Sequence, residues 1–200
     1  MLYRPPPSFP ALFPLSVLLA LARISPWRLL RWPATALVYV VRGVPLLMVI
    51  LWVYFLVPLM IGRNVSGFTT MLCTLVIYEG AYLSEVVRAG IQALPRGQME
   101  AARALGNSYL GAMWSVVLPQ AFRNAVPALI NHSVSLFKNS SLAMAIGAAE
   151  LTHAVKEVES QSFRAFESYF LATVLYLGIS LLIMAVGALI ARRHNVAMAR

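Results

Sequence analysis

The chain has 200 residues, of which 60% are hydrophobic and only 12% are charged, and its mean hydropathy is +0.75. A soluble domain usually carries about a quarter charged residues, so the composition argues against an ordinary globular core and favours an all-α membrane protein. The net charge of +9 requires no nucleic-acid partner, because arginines in cytoplasmic loops orient membrane proteins. The single cysteine, Cys73, excludes an internal disulfide and argues against a cysteine-based metal site.

Five apolar runs predict about five transmembrane helices in one domain that spans residues 1–200. The first run, residues 9–22, provides about 21 Å of helix against a hydrocarbon core of about 30 Å. We interpret it as a shortened first membrane helix, and the alternative is a secretory signal peptide. The remaining runs are residues 44–61, 67–87, 125–149 and 166–190.

The basic residues predict an N-terminus outside the membrane and a C-terminus in the cytoplasm. If the helices alternate in direction, 11 of the 16 basic residues fall on one side, and cytoplasmic loops are the ones enriched in Lys and Arg. These are Arg23, Arg28, Arg31 and Arg42 around the first loop, Arg88, Arg96, Arg103 and Arg123 around the third, and Arg192, Arg193 and Arg200 in the tail. The other side holds Arg4, Arg63, Lys156 and Arg164.

The loop at about residues 89–122 is charged and alanine-rich, and it falls on the cytoplasmic side. Strong helix formers predict a helix over 98–105, and Gly106 suits a left-handed C-cap. A second helix over 109–117 is predicted to stop near Pro119.

Apolar residues recur at helical spacing in the first of these helices, at Met99, Ala102 and Leu105. A compact bent element of this kind fits a groove on a soluble partner. The alternative is an amphipathic connector that lies on the lipid surface.

The fourth run contains a polar stripe, because Asn131, Ser135 and Lys138 recur at i, i+4 and i+7, with His132 and Asn139 beside them. Lipid penalises such a stripe, so it is expected to face a cavity or another helix. We favour the lining of a substrate pathway over the alternative, hydrogen bonding between helices at a dimer seam.

Residues 138–141 also predict a helix break, since Asn and Ser compete for backbone hydrogen bonds. Half-helix termini at such breaks can bind a zwitterion. Glu79, on the third run, is the buried acid expected to join this pathway. Glu85 and Arg88 form an i, i+3 pair that is interpreted as structural.

No catalytic constellation is present, so we expect a passive subunit rather than an enzyme. Gly106 to Gly111 has the glycine spacing of a phosphate-binding loop, but Ala112-Met113 replaces the required Lys-Ser/Thr. The three histidines lack metal-ligand spacing, so no metal site is expected.

One segment resembles the EAA motif of ABC importer permeases in residue type and spacing. The matching residues include Glu100, Ala101, Ala102, Gly106, Leu118 and Pro119. The resemblance implies that these residues form a coupling helix that docks on a cytoplasmic ATPase.

Four longer stretches resemble permeases for polar amino acids, and residues 41–58 and 81–98 look most similar to the glutamate/aspartate permease subunit. The resemblance implies a type I ABC importer permease fold in the cell inner membrane. It also implies a second permease subunit (identical or paralogous), two ABC ATPase subunits that bind ATP and Mg, and a periplasmic solute-binding protein. No cofactor is expected in this chain.

The substrate expected from these features is glutamate or aspartate. The family usually has an acidic residue where Asn139 stands, so in this chain Lys138 has no neighbouring carboxylate. Its positive charge would then attract an anionic side chain and repel a cationic one. A permease for glutamine or arginine, a secondary amino acid transporter, and an intramembrane enzyme are the alternatives.

Overall fold

The computed structural model describes the backbone of residues 8–198 and the side chains of residues 12–191. The side chains of Arg4, Arg192, Arg193 and Arg200, which contributed to the orientation argument, lie outside the described residues. The described part is all-helical, as the composition predicts. Its helices are α1 (Ser8–Ile24), α2 (Arg28–Gly43), α3 (Leu46–Ile61), α4 (Gly67–Gln92), α5 (Arg96–Ala104), α6 (Tyr109–Ala112), α7 (Leu118–Asn139), α8 (Leu151–Ser162) and α9 (Ala165–Met198).

Helix α4 is the centre of the bundle: α1, α2, α3 and α7 pack against it, and α9 packs against α7 and α8. Small and hydroxylated residues line its buried faces. Thr74 and Ser84 are fully buried and donate hydrogen bonds to the carbonyls of Thr70 and Ala81 at 2.8 Å and 2.7 Å. Since these hydroxyls are satisfied within their own helix, neighbouring helices can pack closely around α4.

Two helices, α4 and α9, are long and apolar enough to cross a membrane alone. The pair α2 and α3 passes the same test together, but its axes are bent by 103° at the junction. Among the described residues, helix α1 covers Ser8–Ile24, which is about 26 Å of helix; the shortened first membrane helix stays a prediction. The count of five spans stays a prediction.

The first predicted loop is largely helical. Residues 28–43 form α2, although the arginines at positions 28, 31 and 42 were assigned to a loop. Pro33 lies in the second turn of α2, where its missing N–H removes one helical hydrogen bond. The apolar side chains of α2 recur at helical spacing, and this periodicity could have predicted the helix from the sequence.

The predicted stop at Pro119 is wrong. The chain remains helical from Tyr109 through Asn139, with a π-helical turn at Met113–Val117. In this turn the N–H of Leu118 donates to the carbonyl of Met113. The wider hydrogen-bond register before Pro119 lets the helix continue past a residue that has no N–H of its own.

The fourth apolar run is not one helix. Helix α7 ends at Asn139 and a 3₁₀-helix follows over Ser140–Ile146, closed by Gly147 with φ of +68°. Ser141 Oγ donates to the carbonyl of Lys138 at 2.7 Å, which is the side-chain competition that predicted the break. Helix α8, which the sequence analysis did not predict, lies beyond it.

Candidate functional site

The segment with the EAA-like motif forms the predicted helix-turn-helix. Gly106 has φ of +89° and donates its N–H to Arg103, while Asn107 N donates to the carbonyl of Ala102 at 3.2 Å. This pair of bonds is a Schellman motif, which confirms the predicted left-handed cap. Ser108 Oγ then accepts from Gly111 N at 3.1 Å and starts α6.

The motif residues divide into an inner and an outer set. Ala102 and Leu118 are buried. Met99 is half-buried and packs against the apolar cluster that contains Leu118. These apolar residues therefore fix the segment to the bundle instead of facing outward. The exposed set comprises Arg96, Glu100, Ala101, Arg103, Leu105, Gly106 and Pro119, and Leu105 is 85% exposed.

An apolar cluster connects this segment to the membrane helices. Met113, Val117 and Leu118 pack with Val87 of α4 and Val17 of α1. The coupling segment, defined here as residues 96–119, is thus mechanically continuous with both α4 and α7. The segment and these two helices are therefore parts of one packed unit, and packed interiors deform little.

The structure brings together Glu79, His132 and Asn139, three of the six predicted pathway residues. Glu79 is 1% exposed. Its Oε2 lies 2.6 Å from Nε2 of His132, and its Oε1 accepts a hydrogen bond from Asn139 Nδ2 at 3.0 Å. His132 and Asn139 are seven residues apart, so both lie on one face of α7. A buried carboxylate is tolerated only with such partners.

A tyrosine pair extends this cluster toward α2 and α3. The ring of Tyr82 stacks on His132 with centroids 6.3 Å apart. Its hydroxyl donates to the carbonyl of Arg42 at 3.5 Å, and the hydroxyl of Tyr78 donates to that of Val44 at 3.4 Å. The carboxylate, imidazole, amide and phenols thus form a continuous, largely buried polar cluster between α4 and α7.

The other three predicted pathway residues, Asn131, Ser135 and Lys138, are exposed on the adjoining face of α7. Asn124 is also exposed and lies seven residues before Asn131, so the stripe continues for two more turns toward the coupling segment. The sequence analysis missed Asn124, although the seven-residue spacing of 124, 131 and 138 was visible in the sequence.

A second charged cluster surrounds Glu85. The predicted pair with Arg88 is present, and Glu85 Oε2 also lies 2.6 Å from Nη1 of Arg23 and 3.4 Å from Nη1 of Arg42. These partners come from α1 and α2. No pattern in the sequence predicts these two contacts, because Arg23 and Arg42 lie 62 and 43 positions before Glu85.

Among residues 12–191, no group of three or more His, Cys, Asp or Glu side chains is arranged to hold a metal ion. Cys73 is exposed.

Comparison with known proteins identifies the family. Residues 13–196 match the family described as binding-protein-dependent transport system inner membrane component. The chain belongs to this family. It is therefore a membrane-embedded transport component, a permease subunit of the ABC transporter type.

Curated relatives carry different substrate names at nearly equal similarity. The chain is 37% identical over 165 residues to the probable glutamine ABC transporter permease protein GlnM of Bacillus subtilis (strain 168), covering 82% of this chain and 76% of that protein. It is 36% identical over 172 residues to the glutamate/aspartate import permease protein GltK of Escherichia coli O6:H1, with the same two coverages. Overall identity thus does not separate the two substrates.

A solved structure confirms the architecture. The chain matches a crystal structure of an amino acid ABC transporter with histidines at a TM-score of 0.83 and 34% identity, covering 93% of this chain and 88% of that one. The predicted type I ABC importer permease fold is therefore confirmed.

Proposed function

We propose that the chain is the translocating subunit of an ATP-driven importer for a polar amino acid, with glutamate or aspartate as substrate. It would work with a second permease subunit, two ATPase subunits that bind ATP and Mg, and a solute-binding protein outside the cytoplasm. The observation that carries this proposal is the buried Glu79, held by His132 and Asn139, directly beside the exposed polar stripe of α7. The names of the relatives and the family membership favour this over a self-sufficient secondary transporter.

The arrangement of α4 and α7 suggests how the site opens. Glu79 belongs to α4, whereas His132 and Asn139 belong to α7. Both helices are packed on the coupling segment through Val87, Val117 and Leu118. When the ATPases close and move that segment, a relative shift of α4 and α7 would separate Glu79 from His132. The freed carboxylate can then accept hydrogen bonds from the ammonium group of a substrate.

Charge favours an acidic side chain on the substrate. Lys138 is exposed, and no described carboxylate forms an ion pair with it, whereas Glu79 lies against His132. The exposed face of α7 thus carries an unpaired positive charge. An anionic side chain is attracted to it in a partly dehydrated pathway, and a guanidinium is repelled.

Uptake by the reconstituted complex tests the substrate. Labelled glutamate, glutamine and arginine would be supplied through the cognate binding protein. Glutamate should be preferred, and Lys138→Gln should lower glutamate uptake by up to about fivefold while leaving glutamine uptake unchanged. Lys156→Gln, which removes an exposed lysine on α8, is the control. Preference for arginine would contradict the charge argument, and equal handling of glutamate and glutamine would remove the acidic specificity.

Two glycines of the coupling segment test the docking role. A Cβ at Gly106 or at Gly97 meets nothing within 4 Å, but only Gly106 has positive φ. Gly106→Ala should therefore strain the turn by about 1–2 kcal/mol and lower transport and ATPase stimulation. Gly97→Ala should leave both near wild type. Normal coupling in Gly106→Ala, or equal loss in both variants, would contradict the proposed role of the turn.

A further inference from the structure

The arginines around Glu85 leave a local excess of positive charge. Arg23 of α1, Arg42 of α2 and Arg88 of α4 all contact this one carboxylate. Three positive charges and one negative charge leave two positive charges unbalanced. Since charges removed from water are costly unless paired, this cluster favours an additional anion.

The cluster also has unused hydrogen-bond donors. Arg23 is 8% exposed. Its Nε and that of Arg88 are buried and have no hydrogen-bond partner among the described residues. Arg42 and Arg88 are more accessible, with side chains 33% and 27% exposed. The site is therefore built from buried donors and remains open on the side of Arg42.

Helix α2, which contributes Arg42, has the surface of a helix that lies along a membrane. Its axis is bent by 103° from that of α3, an apolar helix suited to the bilayer. Large apolar side chains of α2 are exposed, among them Leu29 at 92% and Val40 at 66%. Arg28 and Arg31 are exposed near its beginning, next to Trp27 and Trp32. Exposed apolar residues beside arginines and tryptophans are typical of helices in the headgroup region.

We propose that the cluster of Arg23, Arg42 and Arg88 binds the phosphate of an anionic phospholipid at the polar face of α2. Arginine forks match phosphate oxygens in geometry and charge. A free phosphate offers the same oxygens, but the apolar face of α2 opposite to Arg42 places this helix at the level of the phospholipid headgroups, where the phosphates of lipids are the abundant anions. The site lies at the same end of the bundle as the coupling segment, because Val17, Val87 and Met113 pack together there.

Native mass spectrometry of the full chain in mild detergent tests this site. Phosphatidylglycerol and phosphatidylcholine with identical acyl chains would be titrated separately. Phosphatidylglycerol should bind more tightly, and Arg42→Gln should weaken its binding about fivefold. Arg63→Gln removes an exposed arginine that lies outside the cluster and should leave the lipid affinity unchanged. Equal affinity for phosphatidylglycerol in the wild type and Arg42→Gln would overturn the proposal.

Glu85→Gln separates a lipid site from a purely structural ion cluster. Removing the one carboxylate raises the local charge, so phosphatidylglycerol should bind about fivefold more tightly. Arg42→Lys is a second variant in case circular dichroism shows that Glu85→Gln does not fold. It keeps the charge but not the fork, so it should bind phosphatidylglycerol more tightly than Arg42→Gln does. Loss of lipid in folded Glu85→Gln or in Arg42→Lys would contradict the proposal. Displacement of the lipid by an equal concentration of inorganic phosphate would show that the rest of the lipid adds nothing to binding, and would overturn the lipid as the occupant.

Discussion

The contact between Gly90 of α4 and Ala121 of α7 provides a quantitative test of how the helices transmit motion. A Cβ placed on Gly90 would lie 2.8 Å from the carbonyl oxygen of Ala121 and 3.4 Å from its carbonyl carbon. Optimal non-bonded separations are about 3.5–4.0 Å, so the two backbones must separate by roughly 0.7 Å. The obstacle is backbone, which no rotamer change can relieve.

We expect Gly90→Ala to lower the free energy of unfolding by about 1–3 kcal/mol, the usual cost of overpacking. Alanine also raises helix propensity by about 1 kcal/mol over glycine, and this gain must be measured separately. Gly178→Ala on α9 is the matched control, because a Cβ there meets nothing within 4 Å. The difference between the two variants isolates the cost of the α4–α7 contact.

Thermal unfolding of the purified chain, followed by fluorescence-detected size exclusion, measures this difference. Transport by the reconstituted complex should fall in Gly90→Ala but not in Gly178→Ala, because the displaced contact lies between the coupling segment and Glu79. If Gly90→Ala proved as stable and as active as Gly178→Ala, the close α4–α7 contact would have no role in stability or coupling.

Three further predictions follow from other contacts. Glu79→Gln should lower uptake about tenfold or more, because a hydrogen bond to a charged group contributes about 1.5–3 kcal/mol. Glu157, whose side chain is 67% exposed, provides the control Glu157→Gln, which should not lower uptake. Equal uptake by the two variants would contradict the pathway role of Glu79. Glu150→Ala should lower stability by about 1 kcal/mol, since its carboxylate accepts from the N–H groups of Thr152 and His153 at 2.7 Å; a melting temperature equal to that of Glu157→Ala would refute this. Cysteines placed at positions 63 and 193 in a Cys73→Ser background should be labelled from opposite sides of the membrane, and labelling from one side would contradict the orientation.

The sequence alone determined features that depend on neighbouring residues. The turn at Gly106 was predictable because a left-handed cap is decided within a few positions of the chain. The break after Asn139 was predictable for the same reason, since the Ser and Asn side chains compete for carbonyls within their own turn. The apolar runs and the polar stripe of α7 follow from period and composition, which no tertiary contact alters.

The helix continues past Pro119 because of a local change in hydrogen bonding that the residue types do not predict. A proline favours a helix stop, yet a π-helical turn over residues 113–117 lets the helix continue. Met113 and Val117 are buried in this turn, so tertiary packing offsets the poorer hydrogen-bond geometry. Propensity is a weak prior wherever burial competes with it.

The two charged clusters were decided by tertiary structure. Glu79 meets His132 and Asn139 across 53 and 60 positions, and Glu85 meets Arg23 across 62. Their spacing in the chain carries no information about these distances, because α1, α4 and α7 are brought together by apolar packing. Only that packing determines which charges share a site, and thus where a substrate or a lipid headgroup finds its partners.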